Sequence, residues 1–188
     1  MKFGEAYGTG KFGLSFEIFP PKTPAGEEAL LASVDALRAF RPTFITCTYG
    51  AGGSTREKTL ELTVVIREQF RVNTAAHLTC VGSSYDDLRT WLRRATAQGV
   101  ENIVALRGDP PRGESRFIPV DGGPAFADEL VTLIRREFPH FGIGVGGYPE
   151  THQEAPSPEA DLANLKRKVE AGADVVITQL FYDNRDFF

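Results

Sequence analysis

The sequence predicts an α/β protein in which right-handed βαβ units lay down one parallel sheet. Three observations predict it. Six short apolar runs begin at residues 14, 43, 74, 102, 142 and 175, about 30 residues apart. Helix-like segments fill the gaps between them. Polar and ionisable residues collect within the runs or just after them. Strand–helix alternation at this spacing is the mark of parallel strands joined by helical crossovers. A parallel sheet brings all strand C-termini to one face, which is where such folds place their ligand sites.

The elements follow in chain order. The strand runs are 14–19 (LSFEIF), 43–48 (TFITCT), 74–79 (TAAHLT), 102–106 (NIVAL), 142–147 (GIGVGG) and 175–181 (VVITQLF). Before the first helix, Thr23 supplies a capping hydroxyl and Pro24 fits the first helical position. Ser54 and Glu57 have capping-box spacing ahead of the second helix. Ser84 and Asp87 repeat that pattern ahead of LRTWLRRATAQG, which Gly99 can end. The fourth helix, 125–138, is read from its apolar spacing, and Ser157-Pro158 opens the fifth, closed by Gly172. Residues 110–124 are rich in Pro and Gly and read as a long surface loop.

With 188 residues the chain has enough length for one domain with a real core. Hydrophobic residues make up 41% and charged residues 24%, with 25 acidic against 21 basic side chains and a net charge of −4. A slightly acidic balance without a basic block argues against nucleic acid as the main partner. No run approaches the roughly 20 apolar residues of a membrane helix, and the first residues lack the apolar run of a signal peptide. The two cysteines, Cys47 and Cys80, lie in strand-like runs and read as reduced core thiols of a cytoplasmic protein.

The residues gathered at the strand ends are Glu17, Thr48, Tyr49, His77, Thr79, Arg107, Asp109, Tyr148, Glu150, His152 and Gln179. Loop polarity alone accounts for Asp109 or Glu150. It does not account for Glu17, which sits inside the apolar SFEIF. Burial or half-burial there disfavours the charged carboxylate and raises its pKa, which suits a general acid near neutral pH; the other outcome is a structural ion pair. The loop 50–54 (GAGGS) follows a strand and opens a helix, so its backbone N–H groups can hold a phosphate or a polar ring edge. Asp161, Asn164, Arg167 and Lys168 lie along one face of the last helix. They read either as a solvated stripe or as diphosphate ligands.

Other signals are weaker. Gly8-x-Gly10-x-x-Gly13 precedes the first strand, and Gly142-x-Gly144-x-x-Gly147 lies within one; the dinucleotide fingerprint needs a strand, a turn and a helix in that order. His77, His140 and His152 lack metal spacing, so no metal site is expected. Arg89, Arg93 and Arg94 read as a solvated helix face.

Seven blocks carry a resemblance: SFEIFPPK (15–22), TYGA (48–51), HLTC (77–80), VALRGDPP (104–111), YPETH (148–152), ADLANLKRKVEAGA (160–173) and ITQLFYD (177–183). In this order they resemble the flavin-dependent 5,10-methylenetetrahydrofolate reductase family, across nearly the whole chain. The resemblance implies a (β/α)8 TIM-type barrel with FAD held noncovalently at the strand C-terminal face. It implies an oxidoreductase acting on CH–NH donors, which reduces 5,10-methylenetetrahydrofolate to 5-methyltetrahydrofolate with NAD(P)H, in one-carbon metabolism and methionine biosynthesis. A homo-oligomer would be in keeping with the family.

Residue by residue, the resemblance makes Glu17 the catalytic acid and Asp109 the carboxylate beside flavin and pterin. Thr48, Tyr49 and Ala51 match the loop touching FAD and the nicotinamide donor. His77, Arg107 and Gly108 match flavin contacts, and Tyr148 and His152 lie along the FAD. Asp161, Asn164, Arg167 and Lys168 match the helix that holds FAD ribose and diphosphate. Gln179 matches an amide meeting folate and nicotinamide. Ala127 falls at another FAD contact, with Phe126 beside it where Tyr is common in the family. Protonation of the substrate's N10 would open its five-membered ring. A neutral Glu17 is suited to that step, while Asp109 stays ionised, helped by Arg107 or by pterin N–H groups.

Only about six βα units are readable, whereas a closed barrel has eight. The expectation is therefore a single catalytic domain over 1–188, an incomplete barrel truncated at its C-terminus. The alternative to an active reductase is a flavin- or folate-binding fragment without turnover. From pattern alone, an open α/β protein with a structural Glu17 is a third reading.

Overall fold

Six parallel strands stand in one sheet in chain order: β1 Ser15–Ile18, β2 Phe44–Cys47, β3 Thr74–Thr79, β4 Asn102–Leu106, β5 Gly142–Gly147 and β6 Val175–Thr178. In this computed structural model, which describes residues 1–8, 10–49, 55–110, 113–114 and 116–188, the sheet curls into a half-barrel with helices alternating on its outside. The expected α/β class and incomplete (β/α) barrel are therefore observed. β1 and β6 are its edge strands among the described residues.

The helices are α1 Phe3–Ala6, α2 Pro24–Leu37, α3 Arg56–Phe70, α4 Tyr85–Ala97, α5 Ala127–Glu137 and α6 Pro158–Glu170. Three of the expected caps form. Thr23 Oγ1 accepts from Gly26 N–H, Ser157 Oγ accepts from Ala160 N–H, and Ser84 and Asp87 close a reciprocal capping box. Each such cap typically stabilises a helix by about 1 kcal/mol. Ser54 lies outside the described residues, and α3 starts at Arg56. α5 begins two residues later than its apolar spacing suggests, because the Glu129 carboxylate draws Ala125 N–H at 2.7 Å into the turn before the helix.

Strand pairing fixes which side chains face inward. Ser15 pairs with Phe44, Glu17 with Thr46, Thr46 with Ala75, His77 with Val104, and Val104 with Gly144. Alternation then points Glu17, Thr46, Thr48, His77 and Thr79 into the barrel. The opposite faces meet the helices. Ile18, Ile45 and Cys47 pack with Val34, Leu62 and Ile66, while Leu78, Cys80, Ile103, Ala105, Ile143 and Val145 pack with Leu88, Trp91, Leu92, Leu130, Val131 and Ile134. Both cysteines are free and buried, and burial pushes each thiol up to about 12.

The N-terminal end of the half-barrel is plugged by α1, which sequence patterning does not show. Phe3 is buried against Phe44, Ala75 and Val104, and its ring lies 4.8 Å from that of Phe44. Asn102 at the start of β4 holds the segment: its Oδ1 accepts from Phe3 N–H at 2.9 Å and its Nδ2 donates to Met1 O at 3.0 Å. The glycines of β5 make room for this plug. A Cβ on Gly144 would lie 3.3 Å from the Phe3 ring, and one on Gly142 would lie 2.4 Å from Asn102 Oδ1. The glycine pattern of 142–147 thus has a steric reason unrelated to nucleotide binding.

Candidate active site

With the N-terminal end filled, the open end of the half-barrel is the one at the strand C-termini, and there the polar residues converge. Glu17 and His77 form the first group. The Glu17 carboxylate is half-buried, with 48% of the side chain exposed, and Oε2 lies 3.7 Å from His77 Nε2. Burial raises the Glu17 carboxyl above its ordinary value. It lowers His77 to about 4, so the imidazole is neutral at physiological pH. His77 Nε2 is a buried nitrogen without a hydrogen-bond partner. Buried polar atoms are nearly always paired, so this one marks a place for a ligand's polar group.

The second group is strung along the ends of β4 and β5 and the inner side of α6. Arg107 extends from β4 to the Glu154 carboxylate, at 2.6 and 3.0 Å. Gly108 follows at φ +89°, where a Cβ would come within 2.9 Å of Thr79 Cβ and 3.0 Å of Val81 Cγ1. Asp109 is exposed. The Tyr148 phenol is pushed up by burial first and by the charge of Asp109 second. Tyr148 and His152 meet edge to face at 4.6 Å. Lys168 Nζ lies 5.8 Å from the Tyr148 ring centroid and donates to Gly146 O at 2.5 Å; burial lowers its pKa. Asp161 accepts from His152 N–H at 3.1 Å, and Arg167 donates to Asn164 Oδ1 at 2.6 Å. Arg167 also lies 3.5 Å from Asp128, which joins α6 to the first turn of α5 beside Ala127.

Three further expected residues have partners within the protein. The Tyr49 ring packs against the core between sheet and helices, and its hydroxyl accepts from Arg56 Nε at 2.7 Å. Arg56 also donates to the buried Ser83 Oγ at 2.6 Å. Thr48 is buried, with its carbonyl taken by Thr59 Oγ1 at 2.7 Å. Gln179 is exposed beyond β6, its N–H bonded to Gly147 O at 2.7 Å. Ala51 and the rest of the 50–54 loop lie outside the described residues. The expected help of Arg107 to Asp109 is corrected in one respect: the carboxylate that Arg107 grips is that of Glu154. Sequence reading singled out Glu150 in that loop and passed over Glu154, Arg56 and Asp128. The signal for Glu154 was weak, a second carboxylate four residues past the first. Among the described residues, no group of three or more His, Cys, Asp or Glu side chains is placed to hold a metal ion, and no helix is long and apolar enough to cross a membrane.

A family profile described as methylenetetrahydrofolate reductase matches residues 2–188. The chain belongs to the methylenetetrahydrofolate reductase family. It is 43% identical over 174 residues to the 5,10-methylenetetrahydrofolate reductase of Escherichia coli, covering 93% of this chain and 56% of that protein. To methylenetetrahydrofolate reductase (NADH) 1 of Zea mays it is 44% identical over 196 residues, covering 99% of this chain and 33% of that protein. The chain thus spans between a third and somewhat over half of these relatives. Among solved structures, oxaloacetate acetylhydrolase aligns over 94% of this chain with a TM-score of 0.61 at 10% identity. A Clostridium thermocellum protein that binds two copies of 5-methyl-5,6,7,8-tetrahydrofolic acid aligns over 93% with a TM-score of 0.55 at 16% identity. At such identities the likeness is one of fold.

Proposed function

We propose that the chain carries the FAD- and folate-binding half-barrel of an enzyme that reduces 5,10-methylenetetrahydrofolate to 5-methyltetrahydrofolate with NAD(P)H, serving one-carbon metabolism and methionine biosynthesis in the cytoplasm. The observation that carries this reading is the pairing at the strand C-terminal face of a half-buried carboxyl with raised pKa, Glu17, and a buried neutral imidazole, His77. Family membership gives that pair its chemical context.

The residues present fit a flavin. His77 Nε2 is an orphaned buried polar atom at the mouth of the barrel. Gly108 brings backbone to a place that a Cβ would fill. Arg167 and Lys168 put cationic side chains beside Asp161 and Asn164 on α6, a donor and acceptor set suited to a diphosphate and a ribose. When bound, FAD supplies hydride acceptance and hydride delivery. The chain's own residues do the rest. Glu17 holds a proton at its carboxyl and delivers it to the substrate's N10, so that the five-membered ring opens to an N5 iminium. Asp109 as an anion stabilises that cation. His77, kept neutral by burial, offers a ring nitrogen without adding charge next to the acid. Ping-pong kinetics follow if nicotinamide and folate take turns at one site.

The second reading is a chain that binds flavin or folate without turnover. Titrating the purified chain with FAD, then assaying NAD(P)H–menadione and methylenetetrahydrofolate reduction, separates the two. Flavin binding with both activities supports the reductase, and binding alone supports the fragment. A chain that takes up neither FAD nor folate overturns both.

A further inference from the structure

Glu154 ties together two loops that must keep a fixed spacing if they are to cradle one ligand, those after β4 and β5. Its carboxylate accepts from both terminal nitrogens of Arg107, at 2.6 and 3.0 Å. Arg107 Nε donates to Gly108 O at 3.3 Å, and its guanidinium carbon lies 5.1 Å from the Phe117 ring centroid. Three of its five N–H donors and one of its faces are thus engaged. The backbone of Glu154 works in the other direction. Its N–H donates to His152 Nδ1 at 3.1 Å, and His152 N–H donates to Asp161 Oδ2 at 3.1 Å. A ring nitrogen that accepts carries no proton, so for a neutral His152 this bond places the proton on Nε2.

We propose that Glu154 is a positioning residue of the cofactor-side loops: it sets the direction of Arg107 and the tautomer of His152, and so holds the ends of β4 and β5 in register with α6 for a flavin nucleotide. This rests on the flavin reading above. Paired with a carboxylate, Arg107 brings no net charge to the site, so it orients the ligand and leaves attraction of phosphate to Arg167 and Lys168. The opposite arrangement, in which Glu154 merely blocks an anion-binding arginine, has the opposite consequence: removing its charge would tighten binding.

The test is FAD titration of the full chain, followed by quenching of flavin fluorescence, for the wild type, E154Q, E154D, R107M and R107M/E154Q. E154Q is expected to weaken FAD binding about 10-fold, in keeping with the loss of an orienting partner. E154D should recover part of that loss. The double variant should bind no more weakly than R107M, because the two residues act as one unit. The melting temperature without FAD should hardly change, because 44% of Glu154 and 20% of Arg107 is exposed and pairs of this kind add little to folding. Equal or tighter binding by E154Q, or losses that add in the double variant, would overturn the proposal. If the wild type itself takes up no FAD, the flavin reading fails and this inference with it. Wild-type binding with an unaffected E154Q removes this inference alone.

Discussion

Glu17 Oε2 stands 3.7 Å from His77 Nε2, reached across β2 from β1 to β3. At this distance the two could form an ion pair, yet burial drives each partner towards its neutral form, raising the carboxyl and lowering the imidazole. Both shifts work against an ion pair, and at 3.7 Å the two groups form no hydrogen bond, so His77 Nε2 is left without a hydrogen-bond partner.

Replacing Glu17 by Gln keeps the shape and removes the transferable proton. Reduction of methylenetetrahydrofolate should fall at least about 100-fold, the usual worth of a general acid, while flavin reduction by NAD(P)H persists. Stopped-flow measurement of the two half-reactions separates them. Equal loss in both would show that Glu17 supports the fold or the flavin rather than protonating folate.

His77 makes the fold sensitive to acid. Its folded pKa of about 4 lies below the ordinary 6.5, so between these values the unfolded chain binds the proton and the folded chain does not. Stability is therefore fully present above about pH 6.5 and is lost as pH falls towards 4, by up to about 3 kcal/mol from this group. Denaturant midpoints measured from pH 7.5 to pH 4 should fall less steeply for His77→Gln than for the wild type. Parallel slopes would show that His77 is protonated inside the fold.

Gly108 combines a left-handed backbone with a crowded Cβ position. Its φ of +89° and a Cβ placement 2.9 Å from Thr79 Cβ leave neither conformational freedom nor space. Gly108→Ala should cost about 2–4 kcal/mol from left-handed strain and overcrowding, read as a lower urea midpoint. FAD affinity should fall with it, because the displaced loop carries Arg107 and Asp109. Gly113, at φ +97° with nothing near its Cβ position, supplies the control for strain without crowding.

How much of this was legible in the sequence depended on whether a residue's role was periodic or tertiary. The six strands and the caps at Thr23, Ser84 and Ser157 follow from local pattern. The inward direction of Glu17 and His77 follows from strand alternation once the register is known. The orientation of Tyr49 was not legible, because it depends on Arg56 reaching back from α3 to its hydroxyl. Nor was the choice of Glu154 over Glu150, since only the folded β5–α6 loop brings one of them to Arg107. The same holds for α1: four residues carry too little periodicity to announce a helix, and what fixes them is Asn102, 99 positions from Phe3.

That plug gives the last prediction. Phe3 fills the N-terminal end of the half-barrel against Phe44, Ala75 and Val104, and Gly142 and Gly144 leave it the room. Phe3→Ala would leave a cavity that the strands cannot collapse into, because their spacing is fixed by backbone hydrogen bonds. A loss of about 3–5 kcal/mol is the usual consequence of such a truncation, and Phe3→Leu should recover much of it. Denaturant unfolding measures both. Because the plug sits at the end opposite Glu17 and Arg107, FAD affinity measured well below the unfolding transition should stay near wild type. An Ala variant as stable as the wild type would show that α1 detaches from the barrel at little cost, and that Asn102 rather than the Phe3 ring closes this end.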